Sequence, residues 1–288
     1  MFNGCTVALI TPFDVCGKID YALLETLAEL HLRAGTDGIV LAGCTGESFT
    51  LTDTERLEVY KIIKGIVGGR IKIILGTGAS STSVALSRTE AALEIGADGA
   101  LVITPFGNKP SQSALINYFT EIAKVGLPII LYNVPGRTGT SIAPQTAIHL
   151  AEIENIVAIK EASGSLDTVS RILGSSEMTV LSGDDSLTLP MLSIGAKGVI
   201  STTANLFPFD FGEMVHSALD GDWAKAARIH LKMFPVMKAL FIEGNPVPLK
   251  AAMVAEGIIK REDCRTPLAP LSDSNRRILL KTLEDYRI

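Results

Sequence analysis

Short aliphatic runs recur along the chain with helix-length amphipathic segments between them, which is the pattern of parallel strands buried on both faces. Eight such runs are legible: Thr6 to Ile10, Gly38 to Ala42, Ile71 to Leu75, Ala100 to Ile103, Pro128 to Tyr132, Ile156 to Lys160, Met178 to Leu181 and Gly198 to Ser201. Helix signals fill the gaps. Thr52-Asp53-Thr54-Glu55 has the spacing of a capping box and predicts a helix starting just ahead of Arg56 to Ile66. Gly35-Thr36-Asp37-Gly38, Gly96-Ala97-Asp98-Gly99 and Gly195-Ala196-Lys197-Gly198 each follow a predicted helix and open a strand. A glycine there supplies the positive φ that ends a helix. Repetition of this unit predicts an α/β protein, a (β/α)8 TIM barrel over residues 1–222, whose functional rim lies at the C-terminal strand ends. A doubly wound sheet is disfavoured because no G-x-G-x-x-G follows the first strand; Gly76-Thr77-Gly78 comes after the third and lacks the last glycine. Trp223 to Leu240, Pro248 to Ile259 and Ser272 to Tyr286 read as three helices, an appended C-terminal helical region over residues 223–288.

Composition narrows the function classes. With 47% hydrophobic and 20% charged residues in a chain of 288, a large aliphatic core is expected and disorder is excluded. The net charge of -5 and the absence of a Lys/Arg cluster exclude a basic field for nucleic acid. Cys5, Cys16, Cys44 and Cys264 are scattered without a C-x-x-C pair, so reduced thiols are expected rather than a zinc site or a disulfide framework. No early Lys or Arg precedes the first apolar run, and no stretch approaches the ~20 apolar residues of a membrane span. A soluble cytoplasmic protein acting on small molecules is the expectation.

His31, His149, His216 and His230 all fall in predicted helices, and H-E-x-x-H, G-x-S-x-G and Walker patterns are missing. Metal-hydrolase and serine-triad chemistry are thereby disfavoured. The predicted strand ends instead present Cys44 and Thr45, Tyr132, Lys160, and Asp184-Asp185. Lys160 closes Val157-Ala158-Ile159-Lys160, so an amine emerges from an apolar strand. An ordinary lysine, pKa ~10.4, is almost wholly protonated at neutral pH, whereas a desolvated one offers free amine for a Schiff base. The alternative is a solvated lysine paired with Glu161. Tyr132, one unit earlier, is placed to move protons for a carbinolamine, or simply to cap the core with its hydroxyl in water. Arg137 follows in a turn-rich loop, either solvated or aimed at a carboxylate. Gly43-Cys44-Thr45-Gly46-Glu47 offers backbone amides and the Thr45 hydroxyl to an anion. Asp184 and Asp185 read as a solvated turn rather than a metal site.

Together, Gly43-Cys44-Thr45-Gly46-Glu47, Tyr132-Asn133-Val134-Pro135-Gly136-Arg137-Thr138-Gly139, Ile159-Lys160-Glu161-Ala162-Ser163-Gly164, Ser182-Gly183-Asp184-Asp185 and Asn245-Pro246-Val247-Pro248-Leu249-Lys250 resemble the dihydrodipicolinate synthase (4-hydroxy-tetrahydrodipicolinate synthase) family of pyruvate-dependent Schiff-base lyases. The resemblance runs from about Gly4 to Leu271. It implies that Lys160 forms an imine with pyruvate and Tyr132 shuttles protons. Thr45 with its neighbour Cys44, and the backbone around Gly183 and Ile200, would hold the pyruvyl group, and Arg137 the carboxylate of aspartate semialdehyde. It further implies no metal or diffusible cofactor, a homo-oligomer (dimer or tetramer), and a place in diaminopimelate and lysine synthesis.

The chain departs from the family pattern in two places. Cys44 stands where the family has a threonine, and Thr104-Pro105-Phe106-Gly107-Asn108 replaces Thr-Pro-Tyr-Tyr-Asn, so of three relay hydroxyls only Tyr132 remains. Two alternatives stay open on these grounds: a sister aldolase releasing pyruvate from N-acetylneuraminate or a 2-keto-3-deoxy sugar acid, and a pyruvate-binding homologue without turnover. Ser80, Val84 and Phe106 also replace the polar groups that hold the lysine inhibitor in feedback-regulated members, which predicts insensitivity to L-lysine.

Overall fold

The computed structural model describes residues 2–288, and its apolar runs close into a cylinder. The strands are β1 (Gly4–Ala8), β2 (Gly38–Leu41), β3 (Lys72–Gly76), β4 (Gly99–Ile103), β5 (Ile129–Asn133), β6 (Ile156–Glu161), β7 (Thr179–Ser182) and β8 (Gly198–Ser201). They are hydrogen-bonded in chain order, all parallel, and β8 closes on β1 with Thr6 opposite Ile200. Side chains alternate across each strand, and both faces are apolar. Val40, Ile74, Leu101, Ile130, Ala158, Leu181 and Ile200 fill the interior. Ile39, Ile73, Val102, Leu131, Ile159, Val180 and Val199 face the helices. This double-sided burial makes the (β/α)8 barrel readable from the sequence.

Helices α1 (Tyr21–Arg33), α2 (Asp53–Val67), α3 (Thr82–Glu94), α4 (Gln112–Ala123), α5 (Pro135–Thr138), α6 (Pro144–Leu150), α7 (Leu166–Leu173), α8 (Thr188–Ser193) and α9 (Pro208–Leu219) connect or follow the strands. The capping box at α2 forms as expected: the Glu55 amide donates to Thr52 Oγ1 at 3.2 Å, and the Thr52 amide donates to Glu55 Oε2 at 2.8 Å. Gly35, Gly96 and Gly195 take the expected positive φ of 68°, 79° and 113° at helix-to-strand turns. The first strand sits two residues earlier than its apolar run suggests. Leu9 and Ile10 are as buried as strand residues, but the Ile10 amide donates to the Asn205 side chain at 3.0 Å and not to a neighbouring strand.

Three further helices complete the chain: α10 (Trp223–Ala239), α11 (Val247–Ala255) and α12 (Asp273–Arg287). Helix α11 stops short of the expected Ile259 because Gly257 adopts φ 69° and the amides of Ile258 and Ile259 turn back to the Met253 carbonyl. These helices pack into the same outer core as the barrel helices through Met233, Val236, Leu249, Leu279 and Leu283. The segment between α10 and α11 thereby crosses the C-terminal rim of the barrel. No described helix is long and apolar enough to cross a membrane.

Candidate active site

Strand register puts the principal residues side by side. Tyr132 of β5 pairs with Lys160 of β6, and Lys160 in turn with Leu181 of β7. Both side chains point into the barrel at its C-terminal end, with Lys160 Nζ 4.4 Å from the centroid of the Tyr132 ring. Lys160 is 5% exposed and Tyr132 6%. Burial disfavours the charged ammonium and lowers the Lys160 pKa to about 8; Cys44 and Asp185 oppose this shift and Arg137 adds to it. Tyr132 moves the other way, its phenol pushed well above the usual value by burial, with Cys44 beside it contributing. The expected alternative, a solvated lysine paired with Glu161, does not hold. Glu161 projects to the opposite face of β6, where it accepts hydrogen bonds from Asn133 Nδ2 and the Ser163 amide.

Space around the amine depends on Gly183. A Cβ at that position would stand 2.7 Å from Ala162 Cβ and 3.0 Å from both Cγ and Cε of Lys160. The lysine stem therefore lies directly against the backbone of the β7 loop. Above it opens a cavity of about 250 Å³ lined by Thr45, Tyr132, Arg137, Lys160, Gly183 and Asn245, among others. Thr45 is buried, its hydroxyl accepting from Asn245 Nδ2 at 2.9 Å and lying 3.3 Å from the Thr202 hydroxyl. Arg137, carried on α5, remains exposed at the mouth and donates from Nη2 to the Asn245 carbonyl at 3.1 Å. Cys44 is half-buried against the inner cluster beside Tyr132. Ile200 is fully buried in that cluster and does not line the cavity with its side chain.

Asp184 and Asp185 correct the reading of a solvated turn. Asp184 is half-buried and caps the turn after β7, accepting from the Ser186 amide and hydroxyl at 3.2 and 2.9 Å. Asp185 is 1% exposed, and its Oδ2 accepts from the Thr202 amide, the Thr203 amide and the Thr203 hydroxyl at 3.1, 2.7 and 2.6 Å. It ties the β7 loop to the β8 loop that carries Thr202, and burial raises its pKa.

Sequence reasoning gave no individual role to Asn245, Thr202, Lys238 or Phe241, which also line the cavity. Asn245-Pro246 was visible as a motif, but no local signal placed it over the rim. A buried ion pair does so: Lys250 Nζ donates to Glu47 Oε1 at 2.5 Å and to the Thr11 and Asp263 carbonyls at 2.8 Å each. Glu47 also accepts from the Arg265 amide at 2.8 Å. The pair fastens the start of α11 to loop 43–47, bringing Asn245 onto Thr45.

Chemically, the site offers a partly deprotonated amine, a protonated phenol beside it, hydroxyls, and a guanidinium at the entrance. These are the parts needed to condense a small keto acid with an amine and then process the imine.

The chain matches the model of the dihydrodipicolinate synthetase family over residues 1–286. It belongs to that family. The 4-hydroxy-tetrahydrodipicolinate synthase of Geotalea daltonii is 45% identical, with all of both chains covered. Among solved structures, the 4-hydroxy-tetrahydrodipicolinate synthase of Methylacidiphilum fumariolicum SolV superposes with a TM-score of 0.97 at 44% identity, covering 100% of this chain and 96% of its own. The chloride-inhibited dihydrodipicolinate synthase from Acinetobacter baumannii, complexed with pyruvate, gives 0.97 at 41% identity with both chains fully covered. In this chain Cys44 follows β2, and Gly107 sits at φ 87° after β4, where it brings no hydroxyl to the rim.

Proposed function

We propose that this enzyme joins pyruvate to L-aspartate-4-semialdehyde through an imine on Lys160, giving 4-hydroxy-tetrahydrodipicolinate and one molecule of water. The supporting observation is a buried Lys160 amine, with its pKa lowered to about 8, held against Tyr132 in a cavity whose mouth carries Arg137. The names shared by its relatives favour this condensation over the pyruvate-releasing cleavage that the sequence left open.

Neutral Lys160 Nζ attacks the pyruvate C2 carbonyl. Tyr132 donates a proton to the departing hydroxyl of the carbinolamine, water leaves, and the phenol is reprotonated in the next step. Thr45, with Cys44 and the backbone around Gly183 and Ile200, holds the pyruvyl group. Loss of a proton from C3 gives an enamine, whose C3 attacks the aldehyde carbon; the aldehyde oxygen takes up a proton and becomes the 4-hydroxyl. Arg137 receives the semialdehyde carboxylate. The semialdehyde amine then attacks C2 and displaces Lys160 Nζ as the ring closes, so the lysine is regenerated. No metal or diffusible cofactor takes part in these steps. We place the enzyme in the cytoplasm as a homo-oligomer, a dimer or tetramer, serving diaminopimelate and lysine synthesis.

Reduction with cyanoborohydride in the presence of pyruvate tests the reading. A stable adduct located on Lys160, together with ring product when semialdehyde is added, is expected. An unmodified Lys160, or full activity in Lys160→Ala, would overturn it.

A further inference from the structure

At the rim the β5–β6 register pairs Tyr132 with Lys160 and, one residue on, Asn133 with Glu161. Alternation sends the first pair into the barrel and the second into the layer behind it. Asn133 and Glu161 are 0% and 2% exposed. Asn133 Nδ2 donates to Glu161 Oε2 at 2.8 Å, and the Ser163 amide donates to Glu161 Oε1 at 2.6 Å. Asn133 Oδ1 accepts from the Ile142 amide at 2.9 Å and from the Ser141 hydroxyl at 3.5 Å, closing the loop on which Arg137 rides. Backbone bonds extend the unit: the Ala162 amide donates to the Asn133 carbonyl at 2.9 Å, and the Gly183 amide to the Glu161 carbonyl at 2.8 Å.

Glu161 is held by neutral groups, the Asn133 amide with the Ser163 amide and side chain; among the described residues no cation figures among the groups acting on its carboxyl. Burying a carboxylate without a counter-charge is costly, and an apolar pair would serve packing better. What an apolar pair cannot do is fix three backbone segments by directional bonds. The residues immediately before Asn133 and Glu161 are Tyr132 and Lys160, and the closed loop carries Arg137.

We propose that the Asn133–Glu161 clamp behind the barrel wall is the positioning device of the reaction, setting Lys160, Tyr132 and the Arg137 loop in one register. It rests on the reading of Lys160 as the imine-forming amine. Neither clamp residue touches substrate.

A polarity swap tests the clamp. Asn133→Asp sets two acceptors face to face. Glu161→Gln leaves one of the two N–H donors facing the introduced amide. In the double variant the introduced glutamine amide donates to the introduced aspartate, and the bonds from Ile142 and Ser163 survive. The readouts are the Lys160 trapping rate at saturating pyruvate and the KM for aspartate semialdehyde, on protein shown folded by near-ultraviolet circular dichroism. Because a misplacement of ~1 Å can cost about 100-fold, each single variant is expected to trap at least about tenfold more slowly. The double is expected to return to within about threefold of the starting protein, the signature of a coupled pair. Folded single variants that trap at the starting rate would overturn the clamp. A folded double that stays slow would overturn it too, and that comparison stands even where a single variant fails to fold. If the starting protein itself gives no Lys160 adduct, the functional reading fails and takes the positioning role with it; a normal adduct with indifferent variants removes the clamp alone.

Discussion

The lowered pKa of Lys160 makes a quantitative prediction about how imine formation varies with pH. The amine attacks only when neutral, so with a pKa of about 8 roughly one molecule in eleven is competent at pH 7, half at pH 8 and about nine-tenths at pH 9. An unshifted lysine, at 10.5, would be competent in only about one molecule in 3,000 at pH 7, so burial raises the reactive fraction there by roughly 300-fold. The assay is the initial rate of cyanoborohydride trapping at subsaturating pyruvate from about pH 6 to about pH 10, with the adduct located by peptide mass. The same shift acts on stability. Below pH 8 the lysine is protonated in both folded and unfolded chains, and the fold bears a cost on the order of 3 kcal/mol for burying the charge. Between about 8 and 10.5 the unfolded chain holds the extra proton, so stability attributable to this group rises with pH across that window. Lys160→Met removes the ionisable group, so its stability advantage in urea unfolding at pH 7 should shrink toward zero as pH climbs past 10.5. A trapping midpoint at the ordinary lysine value, or a pH-independent stability difference between the two proteins, would refute the desolvation argument.

Three further outcomes are expected. Gly183→Ala would press a methyl against Lys160 and Ala162 at 3.0 and 2.7 Å, so trapping should slow by up to about 100-fold while stability falls by about 1–3 kcal/mol; unchanged trapping would show that the lysine stem has room to spare. Lys250→Met leaves Glu47 buried without its counter-charge and should lower unfolding stability by about 3–5 kcal/mol in urea titration, whereas a loss below ~1 kcal/mol would show that the pair does not hold α11 to the rim. L-Lysine should not inhibit, because the Ser80 hydroxyl is already committed to the Phe106 carbonyl at 2.7 Å and Val84 offers no charge; losing a bond to a charged group costs about 1.5–3 kcal/mol, and half-inhibition at submillimolar lysine would contradict this.

How much of this was legible from the chain depends on how far apart in sequence the interacting groups lie. The barrel was readable because each strand is apolar on both faces, and Lys160 and Tyr132 stood out because each sits near the end of such a strand. Asp185 was misread because Gly183-Asp184-Asp185 has the local composition of a water-facing turn. Its burial is imposed by amides 17 and 18 residues further on. The rim cover was less visible still, since Lys250 meets Glu47 across 203 positions and Asn245 meets Thr45 across 200. The Asn133–Glu161 pair lay between these extremes: both residues sit within motifs already singled out, but adjacency to Tyr132 and Lys160 hid them, because alternation turns them away from the cavity. A sequence exposes the residues that face a site through the strands that end there, whereas the groups that hold those strands in register become visible only once the chain has closed on itself.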